Sequence, residues 1–263
     1  MKKEIKRRLK KIEEDEEVKI LYAVESGSRA WGFSSKDSDW DVRFIYHRPL
    51  NQYLKLFKND DYLGIDNMPK EFFQDSVDFH GWDLDKTLKL LYKGNPPLLE
   101  WLESPFIYHT DPILIPELKK LSRKFYNSKR AIYHYLHMAE GNFISYITNR
   151  PHVKTKKYLY IIRPLLACYW IETIGSMPPM EIDQTFGHYV NNNETYAVIS
   201  RIIRLIDRKR SGEEFGEQEP DQVLNTWILE RLNYYKNYVK TMQDPQHTVT
   251  SLNKFFQDIV CSN

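Results

Sequence analysis

Gly27-Ser28-Arg29-Ala30-Trp31-Gly32, followed by Ser38-Asp39-Trp40-Asp41-Val42, puts a turn suited to phosphate just ahead of two carboxylates. Gly27 lets the backbone approach a ligand closely. Ser28 offers an N–H and a hydroxyl at the start of a short helix, where anions bind readily. Asp39 and Asp41, two residues apart on a strand, face the same side of it. Two same-facing carboxylates repel unless a cation sits between them, and Mg²⁺ is the usual ion where a nucleoside triphosphate is also bound. Each half is ordinary alone, since Gly-Ser occurs in many turns and Asp-x-Asp at many solvated strand ends. The weight lies in their order between two strands.

The flanking residues provide those strands. Residues 18–24 are apolar and β-branched and break at Ser26-Gly27-Ser28, which reads as a strand entering a tight turn. Residues 40–46 read as the second strand. Residues 75–81 form a third candidate, in which Asp78 lies opposite the core face given by Val77 and Phe79. Asp83 precedes the helical pattern of residues 84–91, where an aspartate serves as an N-cap.

This wording resembles the nucleotidyltransferase superfamily of the DNA polymerase β type, whose pattern is a Gly-Ser turn, about ten residues, then Asp-x-Asp. The longer run through Arg43-Phe44-Ile45-Tyr46 is similar to the bacterial and phage subgroup associated with RNA repair. That likeness extends through Gly81-Trp82-Asp83-Leu84, Asn95-Pro96-Pro97-Leu98-Leu99-Glu100-Trp101 and Lys156-Lys157-Tyr158 to Arg163-Pro164-Leu165-Leu166, so it covers both halves of the chain. The resemblance implies an α+β protein with a small mixed-sheet catalytic lobe followed by an all-helical lobe. It also implies a third carboxylate completing a two-metal site, for which Asp78 is the first candidate and Asp83 the rival. Asp39, Asp41 and Asp78 would then hold two Mg²⁺ ions, with Mn²⁺ as a substitute. The activity implied is transfer of a nucleoside monophosphate from a nucleoside triphosphate to an acceptor hydroxyl, with pyrophosphate released. Gly27, Ser28, Arg29, Arg43, Lys157 and Arg163 are the candidate nucleotide-binding residues. RNA is the acceptor implied by the subgroup; protein and small-molecule acceptors stay open, because the two motifs serve all of them.

The organisation changes after about residue 110. Up to there short β-like runs alternate with helical ones, including a strand near residues 106–108. Beyond it helical periodicity runs over residues 113–125, 130–147, 157–174, 196–210, 222–241 and 251–260. The expected domains are therefore 1–110, catalytic, and 111–263, helical and substrate-binding, with the active site in the cleft between them. Residues 175–179 end one helix, and residues 212–220 read as an exposed acidic linker. Residues 2–17 read as a charged amphipathic helix with Ile5, Leu9 and Ile12 inward.

In the helical half, Arg150, His152, Lys154, Lys156 and Lys157 lead into Tyr158, Tyr160 and Arg163. Basic and aromatic residues interleaved in this way suit a nucleotide base or single-stranded RNA, and equally a helix start with its aromatics in the core. Two other readings remain: a ribonuclease using Arg130 and His137, and an inactive binding module on the same fold. The net charge of +2 excludes a strongly basic nucleic-acid coat. Two distant cysteines, Cys168 and Cys261, exclude a disulfide framework or zinc motif and suit a reducing cytoplasm. No signal peptide, membrane span, P-loop or zinc-hydrolase motif is read.

Overall fold

The computed structural model describes residues 1–192, 196–213, 215–245 and 247–261. It groups the chain into two compact units: residues 1–30, 38–126 and 246–263 form the first, and residues 31–37 and 127–245 the second. The first thus extends past residue 110 and takes back the C-terminal segment.

The first unit opens with α1 (Lys2–Asp15), whose apolar stripe Ile5, Leu9 and Ile12 is buried as the 3.6-residue period requires. Then come β1 (Lys19–Glu25), the single turn α2 (Gly27–Ala30), β2 (Trp40–His47), α3 (Leu50–Tyr53), β3 (Tyr62–Leu63) and β4 (Val77–Asp83). They are followed by α4 (Leu84–Tyr92), α5 (Pro96–Leu102), β5 (Ile107–Thr110) and α6 (Leu114–Phe125). The strands make one sheet in the order β3-β4-β2-β1-β5. Only β2 and β4 run parallel, with Asp41 beside Asp78 and Phe44 beside Gly81. One face of this pair, with Val42, Phe44, Tyr46, Val77 and Phe79, shares a core with the α1 stripe. By alternation Asp41, Arg43, Asp78 and His80 lie on the opposite face.

Two local features set the geometry of β4. Asp75 and Ser76 have φ of 58° and 56°, so the strand expected from residue 75 begins at Val77, after a left-handed turn. The buried Arg8 holds that turn, donating to Gln74 O at 2.9 Å and pairing with Asp75 Oδ2 at 2.6 Å. Further along, a Cβ added to Gly81 would stand 2.6 Å from Phe44 Cδ2, and closer still to two other ring atoms. The glycine leaves the space that the Phe44 ring occupies. Asn95 caps α5, accepting from Leu98 N at 3.1 Å, with proline at the first helical position. At seven residues α5 is too short to show a helical period. The C-terminal helix, Thr250–Val260, joins this unit, with Phe256 edge-on to Tyr53 at 5.1 Å.

The second unit contains α7 (Ser128–Tyr146), β6 (Val153–Lys154), α8 (Leu159–Ile174), α9 (Ile182–Asn191), α10 (Tyr196–Ser211), β7 (Glu217–Gln218) and α11 (Gln222–Tyr238). It is not wholly helical: the stretch expected as a linker contributes β7, which pairs antiparallel with β6. α9 lies outside the helical stretches expected from periodicity, because Gly187 and its polar residues dilute the pattern. Pro164 lies inside α8. A proline there has no N–H for the carbonyl four residues back, and Asn142 Nδ2 supplies a donor to Tyr160 O at 3.1 Å.

Candidate active site

β1 ends in Glu25, Ser26 turns away, and Gly27 takes φ of +58°. Ser26 N donates to Asp41 O at 2.8 Å, tying the turn to the second strand. A Cβ on Gly27 would lie 2.7 Å from Asp41 Cγ and nearer still to Oδ2. The glycine is therefore needed twice, for its backbone angle and for the carboxylate lying against it. Ser28 follows, half-buried, in the first turn of α2.

Parallel pairing places Asp41 next to Asp78, and Arg43 lies between their carboxylates. Its Nη2 is 3.1 Å from Asp41 Oδ1 and 2.9 Å from Asp78 Oδ2, while Nη1 donates to Asp78 O at 3.2 Å. The cation that the paired carboxylates call for is thus present as a guanidinium in this arrangement. Burial raises the Asp41 pKa; Arg43 opposes that rise, and the charges of Asp78 and Asp39 add to it. Asp39 is exposed and sits one residue ahead of β2 rather than in it. Among the described residues no three carboxylate, histidine or cysteine side chains are gathered as a ready ligand set. The donors are nevertheless of the type that an oxygen-preferring divalent cation takes.

Arg29 braces the approach to β2. Its Nε donates to Asp39 O at 3.1 Å, its Nη2 to Ser38 O at 2.5 Å, and the guanidinium stacks 3.8 Å from the Trp40 ring centroid. Glu25, which sequence reasoning passed over, underlies the cluster. It is 1% exposed, accepts from Asp41 N at 2.9 Å through Oε1 and from the Tyr108 hydroxyl through Oε2. Its carbonyl accepts from Ser104 Oγ at 2.6 Å. Burial raises the pKa of Glu25, opposed by the hydrogen bonds from the Tyr108 hydroxyl and Asp41 N. A glutamate closing an otherwise apolar strand was the available signal.

The same sheet face continues through His80 and Trp82. Trp82 Nε1 donates to His80 Nε2 at 3.0 Å, which leaves the imidazole proton on Nδ1. Burial and the Arg43 charge lower the His80 pKa. Trp82 in turn stacks on the buried Trp101 at 3.8 Å. Asp83, five residues beyond Asp78, faces the other way. It is buried, caps α4 by accepting from Asp85 N at 3.1 Å, and accepts from Tyr53 Oη at 2.7 Å. Burial pushes its pKa up to about 6.

Lys157 and Arg163 lie in the second unit with aromatic partners of their own. Lys157 Nζ is 4.0 Å from the Tyr146 centroid, and the buried Arg163 guanidinium is 4.4 Å from that of Trp31. Trp31 and Gly32, the last residues of the opening motif, belong to this unit. Trp31 O accepts from Ile182 N at 2.9 Å, and Gly32 O from Arg210 Nε at 2.8 Å. Tyr158 is core, its hydroxyl donating to Asn225 Oδ1 at 2.8 Å. The residues of the ribonuclease reading are also engaged: Arg130 pairs with Asp244 at 3.3 Å, and His137 stacks on Tyr133.

A mixed five-stranded sheet followed by a largely helical unit is the fold that the polymerase β resemblance implied. The family model described as "RNA repair pathway DNA polymerase beta family" matches residues 1–258, and the chain belongs to that family. It is 39% identical over 261 residues to the YcgL protein of Bacillus subtilis (strain 168), covering 99% of this chain and 96% of that one. Two solved structures are similar at lower levels. A nucleotidyltransferase-like protein from Exiguobacterium sibiricum 255-15 aligns with 98% of this chain and 80% of its own, at 12% identity and a TM-score of 0.32. The spectinomycin adenyltransferase AAD(9) from Enterococcus faecialis, solved with ATP and spectinomycin, aligns with 90% and 99%, at 13% identity and a TM-score of 0.39. No helix among the described residues is long and apolar enough to cross a membrane.

Proposed function

We propose that the protein transfers a nucleoside monophosphate from a nucleoside triphosphate to a hydroxyl of RNA. The observation that carries this reading is the convergence of Gly27, Asp41, Arg43 and Asp78 on one sheet face, opposite the α1 core. RNA as acceptor rests on the family description.

The first unit carries the chemistry in this reading. The Gly27-Ser28 backbone N–H groups and the Ser28 hydroxyl hold triphosphate oxygens, where the absence of a Cβ lets phosphate come close. Asp39, Asp41 and Asp78 are the residues that would hold divalent cations, Mg²⁺ or Mn²⁺. Such ions neutralise triphosphate charge and lower the pKa of a nearby hydroxyl. The acceptor oxygen forms a bond to the α-phosphorus as the bond to the β-phosphate bridge breaks, and pyrophosphate leaves with that electron pair. Asp78, the more exposed of the paired carboxylates at 47% against 28% for Asp41, is assigned to accept the acceptor's proton. Arg43 holds both carboxylates in place before substrate arrives, and Glu25 fixes the Asp41 backbone from below. Arg29 keeps the Ser38–Asp39 carbonyls in register and, with Arg43, supplies positive charge towards phosphate. The second unit, with Lys157 and Arg163, is assigned to acceptor and nucleotide recognition. The buried Cys168 and exposed Cys261, both free, suit the reducing cytoplasm.

The test incubates the full chain with Mg²⁺, each labelled nucleoside triphosphate, and separate pools of tRNA, other RNA, protein and small hydroxyl compounds. Label entering RNA, and lost with Asp41→Asn, is the expected result. Label entering only protein or small molecules would replace the acceptor, and RNA cleavage abolished by His137→Ala but not by Asp41→Asn would replace the reaction.

A further inference from the structure

The second unit contains a polar cavity of about 400 Å³ between α10, the β6–β7 pair and the start of α11, lined by Thr155, Arg201, Arg204, Arg208, Glu219 and Asp221 among others. The three arginines recur at i, i+3 and i+7 along α10, which places them on one helix face. Their surroundings are uneven. Arg201 Nε is fully engaged by Asp221, at 3.2 Å and 3.0 Å from its two oxygens. Asp221 also caps α11, accepting from Val223 N and Leu224 N. Three N–H groups thus engage its carboxylate, and the Arg201 guanidinium offsets its charge. Arg208 is held through Nη2 by Glu213 at 2.8 Å, but its Nε is buried with no hydrogen-bond partner among the described residues. Thr155 is 7% exposed, and its Oγ1 is likewise buried and without a hydrogen-bond partner among the described residues. Arg204 is exposed and forms no ion pair among the described residues. Glu219 is exposed as well.

We propose that this cavity binds a phosphate group. Buried donors without acceptors are rare in folded proteins and call for an explanation. A phosphate, which accepts on several oxygens, can take the exposed Arg204 fork directly, and a small rotation of the Thr155 and Arg208 side chains, whose Oγ1 and Nε are now closed off, would bring those donors to it; arginine suits phosphate oxygens geometrically. The volume exceeds that of an isolated phosphate ion, so the ligand is a phosphate carrying an organic group. That phosphate is either part of RNA or part of a small phosphorylated metabolite. None of the lining residues belongs to the carboxylate cluster, and the proposal does not depend on nucleotidyl transfer.

The experiment titrates the full chain by calorimetry with inorganic phosphate, then with a short single-stranded oligoribonucleotide with and without a 5′-phosphate. Wild type, Thr155→Val and Arg204→Ala are compared. Loss of one charge-assisted hydrogen bond should weaken phosphate binding about tenfold in each variant. Thr155→Val should melt no lower than wild type, because the hydroxyl that it removes is unpaired; Arg204→Ala alters an exposed side chain and keeps the test valid whatever the valine does. Oligonucleotide binding weakened by Arg204→Ala assigns the phosphate to RNA, and to its end if the 5′-phosphate is required. Weakened phosphate binding with unchanged oligonucleotide binding assigns it to a small metabolite. Absence of phosphate binding, or binding that neither substitution weakens, as expected of a site at the Gly27-Ser28 turn alone, overturns the proposal.

Discussion

Replacing Gly27 with alanine tests the geometry of the proposed active site most directly. The backbone there has φ of +58°, a conformation that costs an L-residue about 1–2 kcal/mol. The new methyl would also stand 2.7 Å from Asp41 Cγ, where ordinary carbon contacts are about 3.5–4.0 Å, so the carboxylate must move by roughly 1 Å. Because that carboxylate sits at the end of a side chain, the move is cheap for the fold but weakens its contact with Arg43, at a cost of about 1 kcal/mol at most for a partly exposed pair. Global stability should fall by about 2–3 kcal/mol, read by urea denaturation, with the native circular dichroism retained. Nucleotide transfer should fall by about 10²-fold, since an ångström of misplacement at a reacting centre costs that much. The alanine should cost only about 1–2 kcal/mol, the backbone share, when introduced beside Asp41→Ala, because the obstructing carboxylate is then absent. A variant that transfers nucleotide at the wild-type rate, or a stability cost no smaller beside Asp41→Ala, would refute the packing of Asp41 against the turn.

Four further outcomes follow from the packing. Glu25→Ala should destabilise by about 2–3 kcal/mol, because it strips the buried Asp41 N–H and Tyr108 hydroxyl of their acceptor; Glu25→Gln should recover most of the loss in thermal melts. Gly81→Ala drives a methyl into the Phe44 ring and should cost about 3 kcal/mol, partly rescued by Phe44→Leu in the same background. Asp83 has its pKa raised from 3.8 to about 6 in the folded protein, so its protonated form favours the fold. Stability from this group is complete below pH 3.8 and lost as pH rises to about 6, by about 3 kcal/mol; denaturation of wild type against Asp83→Asn over pH 4–7 should show that divergence. Asn142→Ala should cost about 1 kcal/mol in denaturant titrations by removing the hydrogen bond that Asn142 Nδ2 gives the Tyr160 carbonyl beside Pro164.

The sequence by itself determined several local elements and the family. Alternation and the Ser-Gly-Ser break marked β1, the turn and β2, and the stripe Ile5, Leu9 and Ile12 marked α1, because side-chain period follows backbone geometry. Asp83 was legible as a helix cap because capping depends on neighbours within a few residues. Family membership was legible from the motifs around Gly27 and Asp41. Tertiary structure alone decided the parallel pairing that sets Asp41 beside Asp78, the placing of Arg43 between them, and Glu25 as their support. It also decided that Trp31 and Gly32 pass into the second unit, and that the stretch near residue 217 becomes a strand. These features join residues tens of positions apart. Propensity and periodicity carry information over one or two turns of chain, whereas which distant groups meet is settled by burial of a common core and by the need to pair each buried charge and backbone group.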